Sequence, residues 1–250
     1  MEKQTVSIEN QDPVAVLRLS NGVTNPIGLE LLESLSDSLD RVRASFGGAV
    51  LAGGNKFFSI GLDIPNLLGL DRSRMRDFWN AFDRVVLKLF CLPMPTACAI
   101  CGHAVAGGTI LALACDFRFA ASGRKLLGLN EIRLGLPVPY IADLMLRQVV
   151  GDRDATRLLC FGELVKSESA RSMGMIDGVF PEGDTERLAV EKIAQLSHFP
   201  KAAFAAIKEN RVAPLRARFE KRRKEKTEQL LDLWFSPHVR VLLEEAAKKF

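Results

Sequence analysis

The chain has 250 residues, 48% hydrophobic and 26% charged, an ordinary globular balance with enough apolar mass for one large domain or a domain with an appendage. No apolar run reaches the roughly 18 residues of a membrane span. The opening MEKQTVSIENQ carries acids and no apolar stretch, so no signal or transit peptide is read there and the cytoplasm is the expected compartment.

In chain order, Val6 to Ile8 and Val14 to Leu19 read as a hairpin around Asn10–Pro13. Ile27, Leu31, Leu32, Leu35, Leu39 and Val42 recur at helical spacing, with Pro26 suited to a first helical position. Ala49 to Ala52 is a short strand ending at Gly53–Gly54. Phe78, Phe82, Val85 and Leu89 mark a second amphipathic helix. Thr96 to Ile100 and Phe117 to Ala121 are strands separated by an apolar helix, and further helices are expected over 139–150, 152–161, 167–173 and 184–197. Strands alternating with helices predict an α/β architecture. From about Pro200 the pattern turns helical throughout, over 200–212, 215–234 and 237–249, and Leu230, Leu231, Leu233, Leu242 and Leu243 need cover from the core or from another subunit. The formal charge of +4 matches the excess within residues 214–250, where ten Lys/Arg face six acids. With no binding motif or aromatic interleaving beside it, this charge reads as a solvated helix face and not a nucleic-acid site.

Five cysteines, an odd number without a secretory signal, argue against a disulfide framework, and Cys98 and Cys101 read as buried thiols in spite of their CxxC spacing. The glycines say more. Gly53–Gly54 precedes Phe57-Phe58-Ser59-Ile60-Gly61-Leu62-Asp63-Ile64, and a second loop, Gly102 to Gly108, leads into the apolar helix from Thr109 to Cys115. Neither has dinucleotide or P-loop spacing. A glycine before a helix lets backbone N–H groups approach a ligand closely, and the unpaired first-turn amides favour an anion there.

Taken together and in this order, FFSIGLDI (57–64), CGHAVAGGTI (101–110), CDFRFAA (115–121) and LGLNEIRLG (127–135) resemble the crotonase, or enoyl-CoA hydratase/isomerase, family over roughly residues 5–190 and more loosely over the tail. The resemblance implies a spiral of ββα units over residues 1–196 with a C-terminal helical trimerisation region over 197–250. It implies an acyl-CoA thioester substrate, no metal and no separate cofactor, since coenzyme A is part of the substrate. It implies a homotrimer or hexamer, with no nucleic-acid or membrane partner. It carries two oxyanion-hole amides over to Leu62 and Gly107, and substrate contacts to Ser59, Ile60, Gly61, Asp63, Ile64, Gly108 and Asn130. Two amide donors aimed at a thioester oxygen suit an enolate, whose charge concentrates there.

The family's two catalytic carboxylate positions fall on Ile110 and Glu131. Ile110 cannot carry a proton or hold a water. Hydratases of the family typically use both acids, whereas isomerases of the mitochondrial type keep only the second, and their local sequences resemble this chain most. After Glu131 the chain reads Leu136-Pro137-Val138-Pro139-Tyr140, not the glycine-rich hydratase stretch. The resemblance therefore implies isomerisation of 3-enoyl-CoA to 2-enoyl-CoA with Glu131 as acid/base, an apolar wall raising its pKa. A one-glutamate hydratase or thioester hydrolase is the alternative chemistry, and a degenerate acyl-CoA- or RNA-binding relative is the non-enzymatic one. Asp63 reads equally as a helix cap, Asp116 as a backbone acceptor at a helix-to-strand corner, and His103 as an ordinary loop residue. Trp79, Phe82 and Tyr140 are candidates for the acyl pocket, the first two more readily as core.

Overall fold

In the computed structural model, residues 4–248 are described. The elements run β1 (Val6–Gln11), β2 (Val14–Leu19), β3 (Pro26–Ile27), α1 (Leu29–Ser45), β4 (Gly48–Ala52), β5 (Phe57–Ser59), β6 (Gly61–Leu62), α2 (Ile64–Leu67) and α3 (Arg72–Phe90). Next come β7 (Thr96–Ile100), β8 (His103–Val105), α4 (Gly107–Leu113), β9 (Phe117–Ala121), β10 (Leu126–Gly128) and a 3-10 turn (Glu131–Leu134). The chain continues through α5 (Tyr140–Phe161), β11 (Val165–Lys166), α6 (Ser167–Ser172), β12 (Gly178–Phe180), α7 (Thr185–Ser197), α8 (Lys201–Trp234) and α9 (Pro237–Ala247).

Side chains alternate along the strands and so sort into two faces. Ala15, Leu17, Ala49, Leu51, Cys98 and Ile100 join the large core with α1 and α3. Val14, Val16, Val50, Ala52, Ala97 and Ala99 turn the other way, against Ala189, Val190 and Ile193 of α7. Helices cover both faces, and every residue of β4 and β7 is buried. The six-stranded sheet runs β1-β2-β4-β7-β9-β12, antiparallel only between β1 and β2. A second sheet runs β11-β10-β8-β5. Each successive turn of chain places one strand in the first sheet and the next in the second: β4 then β5, β7 then β8, β9 then β10. That is the ββα spiral the sequence leads one to expect.

Two expectations need correction. Pro26 does not open α1; with Ile27 it pairs in parallel with Gly61–Leu62, and the helix begins at Leu29. This pairing joins segments far apart in sequence, so no local pattern reports it. The segments 200–212 and 215–234 are one helix, α8, which runs through Pro214. The proline removes one backbone donor, and burial of Val212, Leu215 and Phe219 on either side keeps the axis running. The segments 139–150 and 152–161 count as one element, α5, but Gly151 at φ 77° breaks the helical backbone where the gap was expected.

The tail packs on its own core. Lys208 of α8 is 3% exposed and donates to Asp116 (2.8 Å), which also accepts from the backbone N–H and hydroxyl of Thr96 at 3.0 and 2.9 Å. Arg72 and Arg76 of α3 bind Glu228 of α8, and Arg240 of α9 donates to the carbonyl of Leu68 (3.0 Å). Among the described residues no helix is long and apolar enough to cross a membrane.

Candidate active site

The two glycine loops meet. A Cβ built on Gly61 would stand 3.2 Å from the Gly107 nitrogen, and one built on Gly107 would stand 3.3 Å from the Gly61 Cα. The contact between Gly108 and Ser59 is closer still, since a Cβ on Gly108 would lie 2.5 Å from the Ser59 carbonyl oxygen. Any side chain there forces the loops apart.

Hydrogen bonding fixes which amides remain free. The N–H of Gly61 donates to the Ser59 hydroxyl (3.1 Å), and that of Asp63 donates to the Ile27 carbonyl (3.1 Å). Successive strand amides point in opposite directions, so the Leu62 N–H between them faces away from β3. In the second loop, Ala106 adopts φ 48° and ψ −115°, a conformation costly for any residue with a Cβ, and turns the chain into α4. Its own N–H is held by the Gly128 carbonyl (2.8 Å). The Gly107 N–H that follows belongs to the first turn of α4 and has no intrahelical acceptor. Thr109 secures the loop by donating to the Ala104 carbonyl (2.6 Å) and accepting from the Gly128 N–H (3.0 Å).

Leu62, Gly107 and Glu131 line one cavity of about 430 Å³. Of the other candidates, Ile60, Ile64 and Asn130 also line it. Ser59, Gly61, Asp63 and Gly108 do not line it: Ser59 bridges Gly61 and the Asn25 carbonyl (2.7 Å), and Asp63 caps α2 by accepting from Asn66. His103 accepts the Leu126 N–H at Nδ1 (3.1 Å) and so ties β8 to β10. Trp79 and Phe82 line the cavity while packed in the core, and Tyr140 does not reach it.

Glu131 opens the 3-10 turn that follows β10, which pairs with β8 inside the second loop. It is 8% exposed, and its Oε2 is buried without a hydrogen-bond partner. Burial pushes its carboxyl up to about 7, with only its own backbone N–H acting in the other direction. It is the one carboxylate among the described residues that line the cavity. Ile110, 1% exposed, occupies the wall where a second acid would stand.

The sequence did not reveal that Leu230, Trp234, Leu243 and Ala246 of α8 and α9 close the same cavity. The apolar spacing of the tail showed that Leu230 and Leu243 needed cover, but not that they face a cavity of their own chain, and it did not single out Trp234 or Ala246. The arrangement can hold an apolar chain, offer two backbone donors to a developing oxyanion and move one proton.

The chain is similar to known proteins of one family. The family model described as Enoyl-CoA hydratase/isomerase matches residues 9–241. Human mitochondrial enoyl-CoA delta isomerase 1 is 34% identical over 191 residues, 75% of this chain and 63% of that protein, so the match spans less than two thirds of the relative. A Thermus thermophilus protein described as a putative enoyl-CoA hydratase is 32% identical over 166 residues, 64% of each chain. The crystal structure of human mitochondrial delta3-delta2-enoyl-CoA isomerase superposes with a TM-score of 0.94 at 29% identity, over 98% of both chains.

Proposed function

Since this chain belongs to the enoyl-CoA hydratase/isomerase family, we propose that it shifts the double bond of a 3-enoyl-CoA thioester to C2, with Glu131 carrying the proton. The observation that supports this reading best is the single carboxylate, buried, in a cavity whose lining is apolar apart from it, Asn130 and Arg133. The Glu131 carboxylate removes a proton from C2. The electron pair moves towards the thioester oxygen, and the N–H groups of Leu62 and Gly107 stabilise the resulting dienolate. Protonated Glu131 then returns the proton at C4, and the remaining double bond lies between C2 and C3. A carboxyl that titrates near 7 suits both halves, since neither form is strongly favoured at neutral pH. The apolar wall keeps water from intercepting the intermediate.

Hydration would need a second group to position water, and Ile110 cannot do so. Like the isomerase chemistry, assembly belongs to the proposal: a homotrimer or hexamer built through the tail, whose Ile207, Leu233 and Val241 are exposed apolar residues. Light scattering of the purified chain tests the assembly. The test of function assays 3-enoyl-CoA and 2-enoyl-CoA of several chain lengths side by side, with products separated by chromatography. Conversion of the 3-enoyl compounds with little hydration of the 2-enoyl compounds is expected. Faster hydration than isomerisation overturns the reading.

A further inference from the structure

Behind the acyl cavity lies a second one of about 20 Å³, bordered by Asp83, Tyr140, Phe219, Arg223, Lys226 and Thr227. It shares Trp79, Pro139 and Leu230 with the larger cavity, and neither Glu131 nor the oxyanion residues border it. That volume accommodates about one water. Arg223 and Lys226 at its rim donate to Asn80 and Gln229, but other polar groups around it are short of partners. The Tyr140 hydroxyl and the Trp79 indole N–H are buried without a hydrogen bond. Asp83 is 5% exposed, and burial pushes its carboxyl up to about 7, opposed only by the charge of Arg223.

We propose that Trp79 is the end wall of the acyl site, and that the polar recess behind it sets the longest acyl chain the protein accepts. The proposal rests on the acyl-CoA reading above. Trp79 is a fixed wall: its ring makes edge contacts with Phe78 and Phe82, at centroid distances of 5.7 and 5.5 Å. Inside the larger cavity each added methylene of substrate leaves water for an apolar surface, which improves affinity about fourfold. A methylene forced past Trp79 meets a different neighbour. It takes the space that a water needs to satisfy Asp83 and Tyr140, and strands both groups. Affinity should therefore rise with chain length and then break, not level off gradually.

The test uses saturated straight-chain acyl-CoAs, lengthened stepwise, with binding to the full chain measured by calorimetry. These compounds have no double bond to move, so the readout does not depend on turnover. In the wild type, affinity should climb about fourfold per methylene up to one length and fall beyond it. Trp79→Leu should move the break to longer chains, and Asp83→Ala should flatten the fall beyond it. Trp79→Phe serves as the milder second variant should the leucine protein fail to fold, with a smaller move in the same direction expected. A break that stays at the wild-type length in the folded Trp79 variants overturns the end wall, and an unchanged fall in Asp83→Ala overturns the part given to the recess. Absence of binding at every length sinks the acyl-CoA reading itself.

Discussion

Replacing Glu131 by Gln should make the protein inactive and more stable at once. A carboxyl that loses its proton near pH 7 when folded, instead of near 4.5, makes the folded state bind more protons than the unfolded state between those values. Stability contributed at this position is therefore greatest below about pH 4.5 and declines as pH rises to 7, by about 3 kcal/mol in all. Gln keeps the shape and never ionises, so the variant escapes that loss. At pH 8 Glu131→Gln should exceed the wild type by about 2–3 kcal/mol, or about 5–10 °C in Tm for a chain of this size. At pH 5 the two should nearly coincide. Subtracting the wild-type curve from the variant curve removes the contribution of Asp83, which titrates in both. Isomerase turnover should fall by at least about 10²–10⁴-fold, with acyl-CoA binding mostly retained. Scanning calorimetry at several pH values measures the first effect and a turnover assay the second. A stability difference that does not change with pH would refute the account of the buried carboxyl, and retained activity would refute its role as base.

Three further outcomes follow from the geometry. Ile110→Glu puts an acid back into the cavity wall and should give measurable hydration of 2-enoyl-CoA at a cost of several kcal/mol in stability; a folded variant without it means that more than one position excludes water. Gly108→Ala drives a Cβ to 2.5 Å from the Ser59 carbonyl oxygen, so kcat should drop by about 10²–10³-fold as the oxyanion amides separate, and unchanged kinetics would show that the loops are not the donors. Lys208→Met leaves Asp116 buried and without its counter-ion, and should lower stability by about 3 kcal/mol in urea unfolding; a loss below about 1 kcal/mol would mean the pair behaves as an exposed one.

What was legible in the sequence depended on the range of the interaction that carries it. The strands Thr96–Ile100 and Phe117–Ala121 stand where their composition puts them, and so do the helices around Phe82 and Leu35, because local periodicity encodes them. The Asp63 cap was equally readable, since a cap is a three-residue event. Glu131 was legible only through its motif; on composition alone it is a helix-start glutamate. Long-range effects were silent. The pairing of Pro26–Ile27 with Gly61–Leu62, the closure of the cavity by Trp234 and Leu243, and the continuation of α8 past Pro214 all depend on partners distant in the chain. Asp83 was passed over for another reason: it follows Phe82 in a helix whose apolar spacing reads well without it, and only its i, i+4 relation to Trp79 hints that it shares a buried face.

Closure of the cavity by α8 and α9 also sets an order of events during synthesis. A ribosome adding about 5–20 residues per second completes Glu131 some 5–20 seconds before it reaches Leu230. In that interval the oxyanion loops and the glutamate have all been made, yet the side of the cavity formed by Leu230, Trp234, Leu243 and Ala246 is still missing. The residues proposed to act on the thioester are thus translated before the two helices that enclose them.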